Sequence, residues 1–160
     1  MKQLEKAIEL RNNGKLEEAN KLLVRLAVQF PNDAGVQYHC AWSFDVLGKE
    51  SEAVPYYELA IKLGLNDSDA KGAYLGLGST YRTLGEYKKA RKVLEEGIEC
   101  YPDYLALRVF HAMTLYNEKE YEKAMEILLL TLAQTSSDES IKTYKRAIEF
   151  YAKNLNEIWK

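Results

Sequence analysis

A chain of 160 residues, about half of them apolar, carries enough hydrophobic side chains to bury the core of one compact domain. Its basic and acidic residues, 22 and 24, nearly cancel to a formal net charge of -2, which argues against a phosphate-binding face for nucleic acid and against a polybasic membrane anchor. No run approaches the roughly 18–20 apolar residues that span a bilayer, and the amphipathic start MKQLEKAIELRNNGK lacks the apolar core and small-residue cleavage site of a signal peptide, so the expected compartment is the cytoplasm.

The predicted elements come in pairs of helices. The first pair covers roughly 1–33: its phrase NGKLEEA turns at Gly14, its second helix starts around Ala19, Pro31 closes it, and Asp33 stands as N-cap of the next helix. The second covers roughly 34–67, with LGKESEA turning at Gly48 and Ala53 in the place of Ala19. Pro55 falls near the first turn of its second helix, where proline is tolerated. This pair ends in Gly64-Leu65 in place of a proline, and a three-residue insertion within NDSDA predicts a change of pitch. The third, roughly 71–104, is the most regular: Tyr74, Leu77, Gly78 and Tyr81, then the turn LGEYKKA with Gly85, Tyr87 and Ala90, then Leu94, Gly97 and Pro102, with Asp103 as the next N-cap. The fourth, roughly 105–138, turns in EKEYEKA, with Lys119 in the glycine place and Ala124 in the alanine place. A single terminal helix is expected over 139–160, opened by a capping box of Ser136 and Glu139. Its stripe of Ile141, Tyr144, Ile148, Tyr151, Leu155 and Ile158 would cover the apolar face of the fourth pair.

Gly14 and Gly48 are 34 residues apart, as are Tyr87 and Tyr121. A period of 34 with a glycine turn and a following alanine resembles the tetratricopeptide repeat along nearly the whole chain. The fold class this implies is all-α: a right-handed solenoid of four helix pairs plus a capping helix, as a single domain over 1–160. From about Ala53 the runs AVPYYELAIKLGL, GAYLGLGSTYRTLGEY and YPDYLALRVFHAMTLYNEKEYEKAMEILL resemble a small bacterial family of stand-alone tetratricopeptide proteins. That resemblance implies the fold and self-association as a homodimer, and implies no reaction.

A search for chemistry finds no catalytic residue. There is no phosphate-binding loop, and Gly76-Leu77-Gly78-Ser79 lies inside a predicted helix, where its glycines allow close helix approach. His39 and Cys40 are neighbours on a helix and point about 100° apart, which is poor chelating geometry; no metal and no cofactor is expected. His111 reads as a core or half-core histidine. Glu17, Glu18, Glu95 and Glu96 read as solvated surface, and Cys40 and Cys100, outside any CxxC spacing, as small buried hydrophobes with no disulfide.

The expected function is binding of another protein. By analogy with the family, the concave surface is made by the first helix of each pair. Its facing positions are Leu4 and Ile8, then Tyr38, Trp42 and Asp45, then Leu75, Ser79 and Arg82, then Val109, Met113 and Tyr116. They lack the Lys, Asn and Arg set with which some family members clamp a peptide carboxylate. An apolar, aromatic groove suits an apolar helix or extended peptide. The alternative is a self-associating module whose apolar surface is buried in a homodimer. For that interface Phe150 and Trp159 are the candidates, because both lie off the capping stripe.

Overall fold

A left-handed residue stands at the turn of each of the four helix pairs. Gly14, Gly48 and Gly85 have φ of +77°, +67° and +77°, and Lys119 in the fourth pair takes φ +66°. The computed structural model describes residues 2–160. Within them the chain forms α1 (Lys2–Asn12) and α2 (Leu16–Gln29), α3 (Ala34–Asp45) and α4 (Glu50–Leu63), α5 (Asp67–Thr83) and α6 (Tyr87–Cys100), and α7 (Ala106–Asn117) and α8 (Tyr121–Thr135). Two short helices follow, α9 (Glu139–Thr143) and α10 (Lys145–Ala152). Each hairpin stacks on the next as a right-handed α-solenoid, so most tertiary contact is local along the chain.

The recurring alanines explain the close crossing within each pair. Ala19, Ala53 and Ala90 are fully buried and Ala124 is 4% exposed. A methyl group at that place lets the second helix approach the first. The core is built in three clusters: Leu23, Leu26, Val36 and Cys40 at one end, joined through Phe44 and Tyr56 to Tyr57, Leu77 and Tyr81 in the middle, and Ala112, Leu115 and Ala124 with Ile127 at the other end.

The insertion before the third pair becomes the first turn of α5. Asn66 caps that helix by accepting a hydrogen bond from the Asp69 backbone at 3.1 Å. Asp33 likewise caps α3, accepting from the Val36 amide at 3.0 Å. Asp103, expected to do the same for α7, does not: Pro102–Tyr104 is spent on a turn, closed by Tyr104 N–H donating to the Tyr101 carbonyl at 3.0 Å, and α7 starts later at Ala106 without a side-chain cap. Pro55 lies in the second turn of α4, later than expected. The helical partner it removes is that of the carbonyl of Ser51, an exposed residue.

The terminal helix departs most from expectation. Tyr144, with φ -98° and ψ 13°, breaks it into two, and the helix ends at Ala152 instead of running to 160. The Asn154 side chain donates to the Phe150 carbonyl at 2.7 Å, satisfying a group that another turn of helix would have used. Its N-cap is Asp138, which accepts from the Ser140 and Ile141 amides at 2.9 and 3.2 Å; Ser136 only supports Asp138. The anticipated stripe is not a cap, since Tyr144, Tyr151, Leu155 and Ile158 are exposed and only Ile141 and Ile148 are half-buried. Cys100 is exposed where burial was expected, at the last residue of α6; Cys40 is fully buried, and both thiols are free.

Candidate functional site: the concave groove

The first helix of each pair presents two kinds of surface to the groove. Towards the second repeat a cavity of about 320 Å³ opens between α3 and α5, lined by Tyr38, Trp42, Asp45, Leu75 and Ser79 together with Tyr57, Tyr104 and Phe110. Five expected residues therefore meet there. Tyr38 contributes only an edge: it is 6% exposed and belongs to the core, its hydroxyl filling the space a Cβ on Gly72 would need. Burial pushes its phenol up to about 12.

Trp42 is the exposed anchor of this cavity. The Arg11 guanidinium of α1 lies over its ring, 3.5 Å from the centroid, and hydrogen-bonds His39 Nδ1 at 3.3 Å. His39 itself stacks near Trp42 with an interplanar angle of 18°. Burial, and next the Arg11 charge, hold His39 down to about 4, so it is neutral and accepts from Arg11. The indole is thus braced by a cation and a ring, which fixes its rotamer at little further entropic cost on binding.

Asp45 is an architectural acid. Its two carboxylate oxygens accept from Tyr57 Oη and from Thr80 Oγ1, each at 2.9 Å, tying α3 to α4 and to α5. Burial raises its pKa while these two bonds act in the opposite direction.

Towards the fourth repeat a separate cavity of about 450 Å³ holds Arg82, Met113 and Tyr116 with Tyr121, Met125 and Leu128. The expected groove residues are therefore divided between two cavities instead of lining one. Val109 is half-buried and borders neither. Arg82 donates to Asn117 Oδ1 at 3.4 Å, while its buried Nε has no hydrogen-bond partner. Tyr104, Phe110, Tyr121 and Met125 escaped the sequence reading, although Tyr121 occupies the place of Tyr87 in the repeat and signalled an aromatic at the head of α8.

His111 is largely covered, with Nε2 3.3 Å from Glu95 Oε1. Burial holds it below the usual histidine range against the pull of that carboxylate. Arg91 gathers the same Glu95 with Glu118 and Glu120 at 2.9, 3.3 and 2.6 Å, binding α6 to the turn of the fourth pair. Among the described residues no three His, Cys, Asp or Glu side chains are grouped to hold a metal ion. Phe150 and Trp159 are 54% and 59% exposed and pack on one another and on Tyr151. No helix among the described residues is long and apolar enough to cross a membrane.

A solenoid of 34-residue helix pairs with an aromatic concave surface defines a repeat scaffold, and the comparisons agree. The model of the tetratrico peptide repeat family matches residues 34–155, and the chain belongs to that family. Repeats of this kind are scaffolds for protein interaction and not enzymes. Superkiller protein 3 of Saccharomyces cerevisiae is 25% identical over 108 residues, which is 63% of this chain and 7% of that protein. The chain thus spans a small fraction of the length of the curated relative it matches. The crystal structure of YrrB, a tetratricopeptide protein with an unusual peptide-binding site, aligns at a TM-score of 0.72 with 19% identity, covering 97% of this chain and 78% of the other. The Cut9–Hcn1 hetero-tetramer of the APC/C aligns at 0.69 with 21% identity, covering 96% and 30%. Both show the same fold.

Proposed function

We propose that this protein binds a partner protein by receiving an apolar helix or extended segment in its concave groove. The observation that carries this reading is Trp42, half-open to the cavity and braced from behind by Arg11 and His39. A large aromatic held rigid beside a mostly apolar concavity is the form that binding hot spots take. The peptide-binding site of YrrB and the assembly of Cut9 with Hcn1, each a property of its own protein, support protein binding as the role of such a scaffold.

Selection from a library of 12-residue peptides displayed on phage tests it. Apolar sequences should be enriched, and Trp42→Ala should weaken the selected peptides at least about tenfold while helical content stays unchanged. Undiminished binding to that variant would overturn the groove reading.

A second reading rests on the opposite end of the molecule. The exposed cluster of Phe150, Tyr151 and Trp159 favours a homodimer with the terminal segment at its interface. A two-fold arrangement would bury the same patch on both copies.

A further inference from the structure

At each junction between repeats, the second helix of one pair is covered by the first helix of the next. Asn20 of α2 donates to Ser43 of α3 at 2.9 Å. Tyr57 of α4 lies against Gly76 of α5, where a Cβ would stand 2.5 Å from its hydroxyl. Gly97 of α6 meets Leu107 of α7 at 3.2 Å by the same measure. The equivalent face of α8 has no such cover. Leu128 is 37% exposed, whereas Leu23, Tyr57 and Leu94 at the same place in the repeat are 0%, 2% and 0%. Met125, in the place of the buried Asn20, is 46% exposed, and Tyr121 and Leu132 extend the same stripe.

The terminal helix does not fill this seat. It packs chiefly against α8, along the side that carries Glu122 and Glu126, with Asn156 donating to Glu122 at 2.6 Å. At 3.6 residues per turn that side lies roughly 100° round α8 from the Tyr121–Leu132 stripe.

We infer that this open end face, whose Tyr121, Met125 and Leu128 also wall the second cavity of the groove, is a docking site apart from the Trp42 cavity, whose occupant is an amphipathic helix of a partner protein seated as the first helix of a further pair would be. The interior junctions specify its chemistry. The helices that fill this seat bury an aliphatic residue and, seven residues on, a hydroxyl: Val36 and Ser43, Ala73 and Thr80, Leu107 and Thr114, none more than 1% exposed. A helix with that pattern continues the junction already built three times along the chain. The N-terminal helix of a second copy does not fit. Its corresponding residues are Lys2 and Glu9, with Glu5 between them, all exposed and charged, so placing them on the apolar stripe would desolvate charges without partners. The two faces are therefore unlike, one charged and one apolar, which disfavours seating α1 of a second copy on α8.

The probe is a fluorescein-labelled peptide of residues 66–83 of this chain, itself a helix of the required pattern. A hydrocarbon staple replaces positions 75 and 79, which face the groove, and holds it helical. It should bind the intact protein saturably in fluorescence anisotropy. Met125→Glu with Leu128→Glu should weaken it at least about tenfold, with unchanged circular dichroism because both side chains are exposed. Thr80→Glu in the peptide should do the same, and Trp42→Ala in the protein should leave binding unchanged, separating this face from the Trp42 cavity. Three results would overturn the inference: no saturation up to about 1 mM protein, equal binding by the double variant, or a dimer in light scattering that the double variant dissolves, since a second copy would then be the occupant.

Discussion

Gly78 of α5 and Leu94 of α6 compete for one space: a Cβ on Gly78 would stand 2.5 Å from Leu94 Cγ, and Leu94 is fully buried. The missing side chain is what brings the two helices of the third pair together. Gly78→Val should destabilise the protein by about 2–3 kcal/mol, because overpacking outweighs the roughly 0.5 kcal/mol that valine gains over glycine in helix propensity. Leu94→Ala in the same chain should recover part of the loss, since it frees the contested volume. Thermal melts of the two single variants and the double variant measure this; strictly additive losses would show that the two residues do not interact.

Gly85 and Lys119 occupy the same place in the turn, with φ of +77° and +66°. Gly85→Val should lose about 2 kcal/mol or more, because a β-branched residue resists the left-handed region. Lys119→Gly should change stability by under about 1 kcal/mol, the relief of backbone strain being offset by the freer unfolded chain. Equal shifts in melting temperature would refute the difference.

The braced pair of Arg11 and His39 predicts a pH dependence. His39 is held near 4 in the folded protein, against about 6.5 unfolded, so the unfolded chain binds the proton more readily. Its contribution is therefore fully present above pH 6.5 and is lost as pH falls towards 4, stability rising with pH in that window. His111, also lowered by burial, acts in the same direction. Between pH 7 and 4.5, His39→Gln should lose about 2 kcal/mol less stability than the parent in urea titrations. Parallel pH profiles would rule out His39 as the titrating group.

Self-association through the terminal segment predicts a mass twice the 18.4 kDa of one chain in light scattering at tens of micromolar protein. Phe150→Ser with Trp159→Ser should return the single-chain mass without loss of helix, because both side chains are exposed. A single-chain mass for the parent over that range would exclude this dimer.

The helix pairs were legible in the sequence because their signals are local. Gly14, Gly48 and Gly85 must sit where φ turns positive, and the alanines five residues later must sit where two helices cross. Both demands concern neighbours along the chain, so periodicity reports them directly. The groove was legible only in outline. The spacing of Tyr38, Trp42, Leu75 and Met113 places them on the first helices, but how far each is covered depends on side chains from other pairs. Tyr38 is taken into the core by Gly72 and Tyr57, and Trp42 is braced by Arg11, 31 positions earlier in the sequence. The terminal segment was least legible. Its heptad-like stripe specifies an amphipathic helix but not which surface receives it. The break at Tyr144, the Asn154 cap and the Asn156–Glu122 bond place that helix along one side of α8. The amino-acid sequence determined the repeat, since helix, turn and close crossing arise from residues near one another in the chain. Only the tertiary structure decided which apolar stripes are covered, since burial depends on what the packing of distant segments brings against each face.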